Sequence, residues 1–432
     1  MSLAGSYNKS RMKSLKIAML HYSAPPVVGG VEQVMQEHAR LFSRSGHAVT
    51  VIAGKGELDL AGVEMVLHTH LDSSTPEILA VKKKLDQGLI PSSFLKIKDG
   101  LLAFIREKAG DADVLIAHNI CSLHKNLPLT AALHEFVQEE GSPPLVAWHH
   151  DLAWTNDQYR KELKNEWPWD LLKKPWHERK QAHVAVSAMR QAEISRLLRV
   201  PKSRIAVIPS GMDWVRFLKL GEQTAQIVRR FNLLNAEPLF LLPARITRRK
   251  NIELALQLIA LMKKDFPSAA LLVTGPPGPH NPNNLSYFDE LLALRAELGL
   301  GDGSKGVPGQ PRVVFLAEHS EDFLPDDVIA DLFRFSDALL FPSSQEGFGI
   351  PILEAGLIGM PIFCSDIPPF RETAGKRAVF FDYQAQPEQI AEKIIKEIKK
   401  DARITLKGHV KQNYTWENVF DRKIMPLIRS VL

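Results

Sequence analysis

The chain has 432 residues, 45% of them hydrophobic, and 54 Lys and Arg against 49 Asp and Glu give a formal net charge of +5. That length predicts two domains, each with a sizeable core. So small an excess of positive charge gives no reason to expect nucleic acid as a partner, and it suits an anionic small molecule or an anionic membrane surface.

Residues 1–14 are polar and basic with no apolar centre, which excludes a secretory signal and suits a disordered leader or an added expression segment. Residues 17–20 form the first predicted strand, and a loop through Pro25, Pro26, Gly29 and Gly30 leads into a helix over 31–45. Strands follow at 48–53, 113–117, 145–148, 182–187 and 205–209, with residues 59–93 and 153–175 read as long loops on the acceptor side. The second loop and the residue just after it hold Trp154, Trp167, Trp169 and Trp176, a pattern that suits either a core or a membrane-facing surface. Residues 15–212 then form an N-terminal domain, and 213–237 read as a linker.

The alternation restarts with strands at 239–242, 271–274, 313–316, 338–341, 362–363 and 379–380, separated by helices at 252–264, 287–298 and 328–335. A C-terminal domain over 238–415 follows, and a last helix within 416–432 is expected to cross back onto the first domain. Strand and helix in alternation predict an α/β fold of two doubly wound Rossmann-like domains facing a central cleft, with ligands at the carboxyl ends of the strands. No uninterrupted apolar stretch approaches the length of a membrane span. Cys121 and Cys364, the two cysteines, lack metal-ligand spacing and read as small core residues of a reduced, cytoplasmic protein. The lysine runs at 82–84 and 393–400 read as solvated helix faces.

The motif that carries most chemistry is Ser343-Ser344-Gln345-Glu346-Gly347-Phe348-Gly349-Ile350-Pro351-Ile352-Leu353-Glu354. It follows an apolar strand. Gly347 and Gly349 let backbone amides approach a ligand, and Pro351 suits a first helical turn. Glu346 is therefore placed in the loop and Glu354 about a turn into the helix. Two carboxylates so placed can each accept a pair of vicinal hydroxyls, while the helix start favours anionic or hydroxyl-rich groups.

After the strand at 239–242, Arg245 and Lys250 precede a helix that Asn251 is expected to cap. A guanidinium, an ammonium and a helix N-terminus make a diphosphate site. Gly29-Gly30-Val31-Glu32 opens the first helix; it is not the Gly-x-Gly-x-x-Gly fingerprint, which counts against a nicotinamide dehydrogenase. His118-Asn119 and His149-His150-Asp151 end two strands. His150 suits a sugar hydroxyl, Asp151 could orient it, and adjacent histidines on a strand are poor joint metal ligands. Asp111-Ala112-Asp113 precedes its strand, at the wrong end of the sheet for a metal on a diphosphate, and reads as a turn.

These motifs, with Val207-Ile208-Pro209-Ser210-Gly211-Met212-Asp213, resemble those of the family four retaining glycosyltransferases of the two-Rossmann-domain (GT-B) type. The resemblance covers nearly the whole chain. Ser210, Met212, Ala244 and Asn251 depart from the family pattern without removing a charged group. The resemblance implies hexose transfer from a UDP- or GDP-linked sugar to a small-molecule, glycan or lipid-linked hydroxyl acceptor, with retention, front-face substitution and no metal or other cofactor. It implies that Arg245 and Lys250 hold the diphosphate, Glu346 and the amides of Gly347, Phe348 and Gly349 the donor sugar, and Glu354 the ribose. Gly29 and Gly30 would approach the phosphate or reacting sugar, and His150 the hexose. Glu32, His118, Asn119 and Asp151 are acceptor-side candidates. A sugar-nucleotide epimerase of the same fold and a non-catalytic sugar-nucleotide-binding protein are the alternatives. Peripheral contact with the inner membrane face remains open alongside a cytoplasmic location.

Overall fold

The structure is a computed structural model that describes residues 14–177, 180–279, 281–302, 310–319 and 323–432. The leader expected over 1–14 lies outside these residues except for Ser14. The described chain divides into two compact units, one comprising residues up to Gly211 together with Trp416–Leu432, the other Met212–Thr415.

The N-terminal unit is built on a seven-stranded parallel sheet in the order β3-β2-β1-β4-β5-β6-β7. Its strands are β1 (Lys16–Leu20), β2 (Ala48–Ala53), β3 (Val63–Leu67), β4 (Val114–His118), β5 (Leu145–His149), β6 (Gln181–Ala185) and β7 (Ile205–Val207). The central strands β4 and β5 are buried at every position, as a parallel sheet covered on both faces requires. The covering helices are α1 (Gly30–Arg44), α2 (Pro76–Asp86), α3 (Ser92–Ala109), α4 (Leu127–Gln138) and α5 (Ala188–Leu198). The region read as a loop over 59–93 thus holds β3, α2 and the start of α3. β3 is a half-exposed edge strand, so its apolar signal is weak.

The final helical run, residues 416–431, places Trp416, Val419, Phe420, Ile424, Met425 and Ile428 in one cluster with Ile17, Met19 and Phe42. Phe420–Ile424 widens to a π turn just before Pro426. A proline inside a helix has no N–H to give and crowds the carbonyl four residues back, and a wider turn relieves both. Gly211 is required here. A Cβ on it would fall 2.5 Å from the Trp416 ring.

The C-terminal unit is a six-stranded parallel sheet in the order β10-β9-β8-β11-β12-β13. Its strands are β8 (Leu239–Leu242), β9 (Ala270–Val273), β10 (Arg312–Phe315), β11 (Ala338–Phe341), β12 (Ile362–Ser365) and β13 (Val379–Phe381). The residues read as a linker at 213–237 are instead part of this unit. They carry α6 (Trp214–Leu218) and α7 (Glu222–Arg230), and bury Trp214, Leu220, Ala225, Val228 and Phe231 in its core. Asp213 starts α6 by accepting the Arg216 N–H at 3.0 Å. Helices α8 (Ile252–Leu261), α9 (Asn283–Glu297), α10 (Asp326–Phe335) and α11 (Ile350–Leu357) follow. Because β8 and β11 are hydrogen-bonded neighbours, with Leu241 opposite Leu339, the loops after them emerge side by side.

Candidate active site

The loop after β8 turns sharply against the loop after β9. Ile246 donates its N–H to Pro276 O at 3.0 Å, and Gly278 donates to Ile246 O at 3.2 Å. Gly275 is forced by this approach, since a Cβ there would lie 2.4 Å from Ala244 O. The sequence reading passed over Gly275; the Gly-Pro-Pro-Gly run straight after a strand was the available signal. Residues Arg248–Lys250 form one 3-10 turn, and Asn251 follows with φ +50°. Asn251 does not cap α8 through its side chain. The Tyr287 hydroxyl accepts the Ile252 N–H at 3.2 Å instead. Asn251 serves by tolerating the left-handed backbone, which glycine and asparagine adopt most readily. That accounts for its replacing the family's glycine at little cost.

Glu346, in the loop after β11, meets this turn. Its Oε1 takes the Lys250 ammonium, and its Oε2 takes Arg249 Nη1 at 2.7 Å. The two loops are also pinned by the backbone, Ser344 N–H to Arg249 O at 2.8 Å. Lys250 lies over the Phe341 ring at 4.9 Å. Burial lowers the Lys250 pKa, opposed by Glu346. Burial alone would raise the Glu346 carboxyl, but Lys250, Ser343 and Arg249 outweigh it and hold it below its ordinary value. Arg249 was not singled out from the sequence, because Arg248 and Arg249 look alike there; the fold sends Arg248 to Glu290 at 2.6 Å and Arg249 to Glu346.

Arg245 is exposed and stacks on Phe323 at 5.1 Å. Gly349 has φ +100° at the start of α11, and its Cβ position is 3.0 Å from the Phe370 ring. A side chain there would be strained on both counts. Gly347 has open space around it, and Phe348 is 49% exposed. Glu354 sits on the exposed side of α11, its pKa raised by partial burial and by Asp326.

In the N-terminal unit the predicted residues separate by role. A Cβ at Gly29 would fall 2.0 Å from Glu32 Oε2, whereas Gly30 has nothing within 4 Å. A side chain at Gly29 would displace the Glu32 carboxylate, whereas Gly30 keeps an open approach. Glu32 Oε1 accepts the Ser23 hydroxyl at 2.7 Å, with His21 Nε2 at 3.8 Å. His118 and Asn119 are 0% and 3% exposed, so they offer an acceptor no surface; both touch His150 instead. Asp151 does not orient His150. Its carboxylate faces Arg190 at 3.4 Å, while His118 Nδ1 lies 3.1 Å from His150 Nε2. His21 Nδ1 reaches His118 O at 2.9 Å, so it carries the proton. Burial drives His150 and His38 down to about 3, leaving both neutral.

Residues 224–413 match the family described as "Glycosyl transferases group 1", and residues 28–216 that described as "Glycosyltransferase Family 4". Mannosylglucosylglycerate synthase of Thermotoga maritima is 25% identical over 392 residues, covering 82% of this chain and 83% of that one. The Petrotoga mobilis protein of the same name is 26% identical over 272 residues, 61% of each chain. D-inositol 3-phosphate glycosyltransferase of Nocardia farcinica is 28% identical over 187 residues, 43% of this chain and 37% of that one.

Proposed function

Since this chain belongs to the group 1, family 4 glycosyltransferases, we propose that it moves a hexose from a UDP- or GDP-linked sugar to a hydroxyl acceptor with retention of configuration and without a metal. The observation that carries this reading is the Lys250–Glu346–Arg249 cluster at adjacent strand ends, next to the glycine-rich start of α11. A buried ammonium already paired with a carboxylate is pre-organised. The ion pair fixes both side chains before any ligand arrives, so little is lost in ordering them.

Lys250 and Arg245 would take the charge that grows on the leaving diphosphate, the work a divalent cation does elsewhere. Glu346 and the amides of Gly347 to Gly349 would hold the sugar hydroxyls, and Glu354 the ribose. Partial burial and Asp326 raise the Glu354 pKa, which makes its carboxylate a more basic acceptor for a hydroxyl. Gly30 gives backbone access, and His150 contacts the hexose. In the reaction the bond from the anomeric carbon to the phosphate oxygen breaks, and the acceptor oxygen joins the same face. The acceptor's proton passes to the departing phosphate. The test is a screen of UDP- and GDP-sugars for donor hydrolysis and transfer, with the anomeric product read by NMR. A product of the donor's own configuration, formed in the presence of a chelator, supports the reading; an inverted product or strict metal dependence removes it.

Among the described residues no helix is long and apolar enough to cross a membrane. We propose cytoplasmic work with peripheral contact at an anionic membrane surface, through the turn between α2 and α3. Leu89, Ile90 and Leu95 are 55%, 45% and 47% exposed there, with Trp167 against Phe94 at 5.2 Å. Lys83, Lys84 and Lys96 are exposed around them. Greasy side chains ringed by lysine suit an anionic interface. Co-sedimentation with phosphatidylglycerol vesicles but not phosphatidylcholine vesicles, lost in Leu89→Asp/Ile90→Asp, is expected; equal sedimentation of the variant contradicts it.

A further inference from the structure

His118 and Asn119 are enclosed at the end of β4, yet both spend their polar groups on the His149–Asp151 segment of the next strand. Asn119 has φ +60°. From that left-handed position its Oδ1 accepts the N–H groups of His150 at 2.8 Å and Asp151 at 3.1 Å, while its own N–H goes to Trp148 O at 2.9 Å. The backbone that carries His150 is thereby clamped. The ring is held separately, by the 3.1 Å contact between His118 Nδ1 and His150 Nε2.

Two neutral imidazoles in such a contact share one proton between the facing nitrogens. If His150 supplied it, His118 would carry its own hydrogen on Nε2. That atom is buried and has no hydrogen-bond partner. An enclosed N–H without an acceptor is the costlier and rarer defect. If His118 supplies it, Nε2 keeps only a lone pair. The surroundings do not provide a charge to reverse this choice: His38 and Trp148 pack against the His118 ring, and His21 is tied to the His118 carbonyl. Glu32 lies against His21 at 3.8 Å.

We infer that His118 is a positioning residue that donates Nδ1–H to His150 Nε2, so that His150 presents its own proton on Nδ1. His150 then meets its ligand as a neutral hydrogen-bond donor, suited to a hydroxyl or phosphate oxygen, and not as a proton-abstracting base. Asn119 fixes the backbone beneath it. This rests on the reading that His150 meets the substrate, but the proton's position can be measured without any substrate.

The experiment is side-chain 15N NMR on the full chain labelled at histidine, with the His150 signals identified by their loss in His150→Gln. Protonated Nδ1 and bare Nε2 on His150, unchanged from pH 5.5 to 8.5, are expected. A proton on Nε2 in the unaltered protein overturns the inference, and this arm needs no variant to fold. In His118→Phe the His150 Nε2 loses its donor, so its 15N signal is expected to shift to that of a bare nitrogen accepting no hydrogen bond, with kcat lower by about tenfold and donor KM nearly constant. His118→Asn, whose amide can donate from the same place, is expected to restore both. An unmoved Nε2 signal in a folded His118→Phe overturns the inference. Unchanged transfer in His150→Ala would instead overturn the substrate role of His150 and leave the measured tautomer standing.

Discussion

Lys250 and Glu346 show how a few side chains can decide a site. Their side chains are only 11% and 8% exposed, yet each finds its chief polar partner in the other. Lys250→Ala and Glu346→Ala are each expected to cut transfer by about 100-fold or more, measured as kcat/KM on purified protein whose circular dichroism is unchanged. Transfer rates that stay at the parent level in both variants would contradict the proposed roles. Much of this site was legible from residue type and order, because carboxylates and cations placed just after apolar strands land at the sheet's carboxyl edge. What was not legible was pairing. Nothing in the order Arg248-Arg249-Lys250 tells which arginine turns inward, and nothing in Asp151 tells that it faces Arg190. The positive φ of Asn251 and Asn119 likewise depends on tertiary approach.

At the level of elements, parallel strands were read well because a buried run of Val, Leu and Ile stands out from its flanks. The elements missed include β3 and the helices α3 to α7. β3 is half-exposed, and α4 is buried almost all round, so neither shows a clean period. Two contacts that seat the C-terminal elements give stability predictions. Gly211→Ala would drive a methyl into the Trp416 ring, and a loss of about 1–3 kcal/mol is expected in urea unfolding. Lys411 donates to Asp337 at 2.7 Å, and both are buried. Lys411→Met would take away that carboxylate's buried counter-charge and leave it the Leu239 N–H at 2.8 Å, with about 3–5 kcal/mol lost. Unfolding midpoints equal to the parent's would contradict either argument.

Across the whole molecule, the histidines are unevenly shared. His21, His38, His118, His149, His150 and His183 lie buried in the N-terminal unit with pKa values pushed below 6.5, chiefly by desolvation. The C-terminal unit carries His319 in a milder form of that condition. An unfolded chain binds more protons than the folded one wherever the folded pKa is depressed. The N-terminal unit should therefore be fully stable above about pH 6.5 and weaken as pH falls toward the folded values, about 3 for His38 and His150 and about 4 for His183. Six of the seven tryptophans belong to that unit, Trp214 being the exception. Fluorescence should accordingly report an acid transition at higher pH than far-ultraviolet circular dichroism does; coincident curves would contradict the assignment. In the other unit, Lys250, Arg245 and the carboxylates of Glu346 and Glu354 are proposed to hold a nucleoside diphosphate, and this is the central claim. Isothermal titration with UDP and GDP tests it most directly: one of the two should bind to the unaltered protein, and Lys250→Ala and Glu354→Ala should each weaken it at least tenfold, whereas equal affinity in all three proteins would contradict it.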